Sequence, residues 1–184
     1  MDELVQWLGQ QLDEDERIAR EASGSTVVGE PGNWRPAPGG DEWEVNRDDG
    51  YSDELLVALR PGLPRPPEVL GGHWGAVVSY RWEEDPDAGA PVAEFRHAAR
   101  HDPARVLREV EAKRQVVSRY EQAAQAVEEL SARRCLLHAR GEDVFMTELS
   151  LESAIHERDA LGVVLRLLAL PYADRPGYRE EWRP

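Results

Sequence analysis

DPARVLREVEAKRQVVSRYEQAAQAVEELSARRCLLHARG, residues 102–141, decides the reading of the fold. Asp102 followed by Pro103 is a helix start, because an Asp side chain caps free backbone N–H groups and proline is tolerated in the first turn. From there Val106, Val110, Val117, Tyr120, Ala124 and Val127 recur at three- and four-residue spacing, the period of one helix face. Lys113 interrupts that stripe. Gly141 is a natural C-terminal stop, so the helix runs to Arg140. At 1.5 Å per residue it is about 55 Å long.

Working outward, a last helix spans about 147–170, with Leu151, Ile155, Leu161, Leu165 and Leu168 inward and Pro171 ending it. The two helices pair as an antiparallel αα-hairpin. Upstream, helix returns at about Ala93, and residues 2–22 read as an amphipathic helix with Leu4, Leu8 and Leu12 at four-residue spacing and Asp2 as N-cap. Between these lie alternating segments: Glu42 to Arg47, Leu55 to Arg60, and His73 to Trp82, where Trp74, Ala76, Val78, Tyr80 and Trp82 share one side. Turn signals at Asp48-Asp49-Gly50 and across 85–91 separate them. The expected fold class is α+β, in one domain over 1–184: an N-terminal helix (1–22), a small antiparallel sheet (32–82), a helical region (93–170) and a tail (171–184). The aromatic set Trp34, Trp43, Trp74, Tyr80 and Trp82 reads as packing of that sheet, since the surrounding acidic segment offers no basic groove for stacked bases.

Of the 184 residues, 41% are hydrophobic and 32% charged, with a net charge of -14. Such a charge keeps a chain in solution, repels phosphate and anionic lipid, and favours basic partners. Neither nucleic acid nor membrane is therefore an expected partner, and no window approaches eighteen apolar residues. The charge is uneven. Residues 1–22 carry seven acids and two bases, and residues 94–140 carry seven acids and ten bases. The long helix offers a face for a homodimer. The single cysteine, Cys135, excludes an internal disulfide and any Cys-rich zinc site. A lone thiol, with no basic-then-apolar leader at Met1-Asp2-Glu3-Leu4, points to a cytoplasmic location.

Glycine-rich nucleotide loops, a nucleophile elbow and a zinc-protease helix motif are all missing from the sequence. The constellation with chemical content is Glu94, His97 and His101, at i, i+3 and i+7, with Asp102 adjacent. Two imidazoles and a carboxylate make a valid metal set, and histidines carry protons near neutral pH. His97, His101 and Asp102 are thus the catalytic candidates. With no second ligand cluster in the sequence, neither a metal nor a cofactor is expected.

The run His97-Ala-Ala-Arg-His101-Asp102-Pro-Ala-Arg-Val-Leu-Arg-Glu-Val-Glu-Ala-Lys113-Arg114 resembles a family of uncharacterised small proteins from actinomycetes and their phages. The ending from Leu167 to Pro184 and the opening helix with its Asp-Glu-Asp-Glu run are similar too. Gly32-Asn33-Trp34-Arg35 is similar to a Pro-Gly-Pro-Trp segment that follows the first helix. The resemblance implies a phage or mobile-element connection and no assigned activity. The expected function is a non-enzymatic, acidic interaction protein binding a host protein, with Trp34, Arg100, Arg105, Tyr178 and Trp182 as interaction residues. The alternative is a small metal- or His-dependent enzyme or ligand-binding module centred on His97 and His101. Tyr172, Tyr178 and Trp182 crowd a tail too aromatic for disorder, so residues 172–183 are expected to fold back with Trp182 at least half buried.

Overall fold

The computed structural model describes residues 1–24, 26–28, 35–37, 42–47, 54–59, 76–79 and 92–184. Helix α1 spans Asp2–Gly24, α2 Val92–Arg100, α3 Pro103–Ala139 and α4 Phe145–Ala169. Two 3-10 turns follow, η1 at Leu170–Tyr172 and η2 at Glu180–Trp182. The chain divides into two compact units, Met1–Asp13 with Glu111–Pro184, and Glu14–Val110.

The expected α+β fold is overturned. Of the residues whose side chains are placed, 83% are helical, and Glu42 and Trp43 are the strand positions among them. Extended backbone occurs as short stretches: β1 Thr26–Val28, β2 Arg35–Ala37, β3 Glu42–Arg47, β4 Glu54–Leu59 and β5 Ala76–Ser79. They pair antiparallel in the order β2-β1-β5-β4-β3, with Glu42 opposite Leu59 and Leu55 opposite Ser79. The physical reason for the correction lies in the apolar stripes. Those of α1, α3 and α4, closed by the rings of the tail, bury one another, so the described core forms without a sheet layer.

In the unit built from Met1–Asp13 and Glu111–Pro184, Leu4, Leu8, Leu12 and Leu165 are fully buried. Tyr120 and Ala123 join them from α3, and Thr147, Leu151, Gly162 and Ala169 from α4. The four-residue leucine spacing on α1 works because i and i+4 lie on one face of a helix. Helix α3 ends in a Schellman motif: Glu142 N–H donates to the Leu137 carbonyl (3.0 Å) and Gly141 N–H to the His138 carbonyl (3.1 Å). Gly141 sits at φ 68°, where a side chain is strained. Asp143 Oδ1 then accepts the Phe145 N–H at 2.9 Å, opening α4.

The tail folds back on α1 within this unit. Trp7 is the hub. Its ring centroid lies 5.3 Å from Trp182, 5.7 Å from Tyr178 and 6.5 Å from Tyr172. Its indole Nε1–H donates to the Pro176 carbonyl at 3.0 Å. Gly177, at φ 86°, lets the chain pass this ring, since a Cβ there would stand 3.0 Å from Nε1. Arg179 pairs with Glu3, and Arg175 donates to Gln11 Oε1 at 3.3 Å. Lys113, the break in the α3 stripe, donates to the Tyr172 hydroxyl at 2.9 Å. The polar residue on an apolar face is thereby satisfied rather than misplaced.

In the other unit, Ala19, Ala104 and Val110 are buried. Asp102 caps α3 as the sequence suggests: Oδ1 accepts the Arg105 N–H at 2.7 Å. At the start of α1, Met1 rather than Asp2 stands at the cap position, its carbonyl accepting the Val5 N–H at 3.0 Å.

Candidate functional site

Helix α2 ends at Arg100 and α3 starts at Pro103, so His97, His101 and Asp102 straddle a break. His101 N–H donates back to the His97 and Ala98 carbonyls, at 3.1 and 3.0 Å, which holds its ring over that of His97. The two imidazole centroids are 4.4 Å apart at 41°. Asp102 is committed to backbone. Besides capping Arg105, its Oδ2 accepts the Trp43 N–H at 3.4 Å. The side chain of Glu94 lies outside the described ones. Among the described residues no three His, Cys, Asp or Glu gather where an ion could be held.

The interaction candidates separate into three situations. Arg105 is engaged by its own helix, its Nε donating to Glu109 at 2.7 Å and its Nη1 to the Arg100 carbonyl at 3.0 Å. The Arg100 side chain is exposed, and Trp34 lies outside the described residues. Tyr178 and Trp182 are turned inward onto Trp7, with Trp182 buried. Their rings hold the tail down.

Sequence reasoning missed a second face on α4. Met146, Leu149, Val163 and Leu167 are each more than half exposed. With Ser153, His156, Ala160 and Leu170 they form a row at alternating three- and four-residue steps, every member exposed. That is the a/d spacing of a helix seam. Glu152, Glu157 and Asp159 flank its middle, also exposed. The signal was legible: 146, 149, 153, 156, 160, 163, 167 and 170 make a continuous heptad row beside the inward Leu151 and Leu165. A helix apolar on both faces was read as apolar on one.

Among the described residues no helix is long and apolar enough to cross a membrane. No curated protein and no solved structure matches the chain. One family model spans residues 1–184, and by that match the chain belongs to a family of unknown function, DUF6221.

Proposed function

We propose that this chain is a non-enzymatic binding protein that presents the exposed row of α4 to an amphipathic helix with basic flanks on a partner protein. The observation that carries this reading is the row itself: Met146, Leu149, Val163 and Leu167 lie open to water. Exposed apolar side chains at the two ends of the row, with Ser153, His156 and Ala160 between them, mark a surface for interaction. Helices with apolar anchors at such spacing are a recurrent partner for one another. Charge selects the partner. Glu152 and Glu157 border the row, beside an Asp159 already paired with Arg158, in a chain of net charge -14. A second copy would set Glu157 and Glu152 against equivalent acids, whereas Lys or Arg flanks would complement them. The resemblance of the sequence to actinomycete and phage proteins fits this reading, that of an accessory factor acting on a host protein.

The test uses synthetic helical peptides with leucine at a and d, one with lysine flanks and one with glutamate flanks, followed by fluorescence anisotropy. The lysine-flanked peptide should bind, and Leu149→Glu with Leu167→Glu should abolish binding without changing the helical melting curve. Equal binding of both peptides, binding that survives the double substitution, or no binding at all overturns the proposal. So does a dimer in sedimentation that the same double substitution dissolves, because the row would then be covered by a second copy.

A further inference from the structure

Arginine is abundant in this acidic chain, and its partly buried members show how the charge is handled. Arg105 pairs with Glu109, Arg114 with Asp13 and Arg158 with Asp159, while Arg175 donates to Gln11. Arg166 departs from this pattern. It is partly buried, its Nε is sealed from solvent, and that nitrogen has no acceptor. No carboxylate pairs with the Arg166 guanidinium among the described residues, although the chain has 36 acids. The Nε itself is out of a ligand's reach, but a partly buried guanidinium with no carboxylate beside it favours an anion at its exposed edge.

Arg166 lines a cavity of about 430 Å³, together with Met1, Tyr120, Arg158, Gly162 and Val163. That volume is in the range of small-molecule sites. Asp159 also reaches the wall, but Arg158 holds it through Nε and Nη2, at 3.0 and 2.8 Å. The lining side chains therefore carry two guanidinium groups and one carboxylate, with the Met1 amino terminus and the Asp2 carboxylate close by. Its apolar part is Met1, Gly162 and Val163, with the Tyr120 ring. At Gly162 a Cβ would meet Met1 Cε at 3.4 Å and Tyr120 Cε2 at 3.8 Å, so a side chain longer than alanine's would push into the wall.

We propose that this cavity binds a small organic acid as its monoanion, with the carboxylate on the guanidinium of Arg166 and an apolar body against Met1, Gly162 and Val163. A guanidinium matches a carboxylate in plane and can hold both oxygens. Tyr120 supplies a neutral phenol edge: burial, then Asp2, holds its ionisation above the ordinary tyrosine range.

Sodium benzoate is the probe, titrated into the full chain at constant ionic strength and followed by calorimetry and amide NMR shifts. Benzamide, its uncharged analogue, and sodium phosphate run in parallel. Benzoate should bind saturably with a Kd of about 1 mM or tighter. Arg166→Gln should weaken it by about tenfold or more, the loss of a charge-assisted pair. Gly162→Leu should weaken it by intruding on the wall, and melting curves of both variants verify that the chain is folded. Should Gly162→Leu fail to fold, Arg166→Gln with the benzamide comparison decides alone. No saturable binding, equal binding of benzamide, stronger binding of phosphate, or benzoate binding unchanged in Arg166→Gln overturns the proposal. Val163 belongs to both the exposed row and the cavity wall, but Arg166 and Gly162 lie outside the row, so Arg166→Gln and Gly162→Leu test the cavity and leave the peptide-binding reading to its own experiment.

Discussion

Truncating Trp182 to alanine tests the packing of the tail most directly. The side chain is 7% exposed, and its ring stands 5.3 Å from Trp7 and 5.9 Å from Tyr178. A buried indole removes roughly 200 Å² from water, an upper bound of about 5 kcal/mol at 25 cal/mol per Å². Large-to-small aromatic changes in cores cost about 3–5 kcal/mol. Because Trp182 stands near the end of the chain, the last turn can peel away and relieve part of the cavity. The expected loss is therefore about 3–4 kcal/mol. For a protein of this size that lowers Tm by roughly 6–16 °C. The helical signal in far-UV circular dichroism is the right assay, since six tryptophans make intrinsic fluorescence ambiguous. Trp182→Phe should lose about half as much, keeping an aromatic edge on Trp7. A Trp182→Ala variant that melts within about 2 °C of the parent would refute the packing argument, and loss of partner binding in that same variant would make the tail a docking segment.

Three further outcomes follow from local geometry. Gly177→Ala combines a φ of 86° with a contact 3.0 Å from the Trp7 Nε1, whereas Gly141→Ala at φ 68° meets open space; chemical denaturation should show the first costing clearly more than the second, which should stay near 1–2 kcal/mol. Asp102→Ala removes the cap on the Arg105 N–H, and unfolding should register about 1 kcal/mol lost, with Asp102→Asn largely preserving stability. The Tyr120 phenol has its pKa raised, by burial first and Asp2 next, so its stabilising contribution is complete below about pH 10 and is lost as pH rises through the folded-state value; stability measured upward from that pH should fall less steeply in Tyr120→Phe than in the parent.

What was legible in the sequence was punctuation. Asp102-Pro103 and Gly141 bound α3 because an N-cap acceptor and a positive-φ residue have few substitutes at those places. The tail was legible because three rings in so short a segment have to bury themselves somewhere, and Trp182 does. The α+β class was misread because alternating Trp and Val residues were given the core, while helices supply 83% of the residues with placed side chains. Periodicity also assigns one face to each helix, and α4 has two: Leu151 and Leu165 inward, Leu149 and Leu167 outward. As for the candidate site, spacing alone put His97 and His101 close together, and their rings are 4.4 Å apart. The cap on the Arg105 amide was legible, but spacing does not show that Asp102 also accepts the Trp43 amide, which is 59 residues away in sequence. Nor does it show Trp7 as the hub, since the partners of Trp7 are distant in sequence.

The clasp between Arg179 and Glu3 spans 176 residues, and that between Trp7 and Pro176 spans 169. Closing so long a loop costs entropy before the contact returns anything, and such contacts slow folding. On the ribosome α1 is made before the tail, and Trp7 has no partner rings until Tyr172, Tyr178 and Trp182 have been synthesised. That part of α1 therefore stays an exposed apolar surface after α3 and α4 have been made, a state in which nascent chains are vulnerable to aggregation. The acids along its other face, Asp13 to Glu16, keep that intermediate dispersed until the tail arrives.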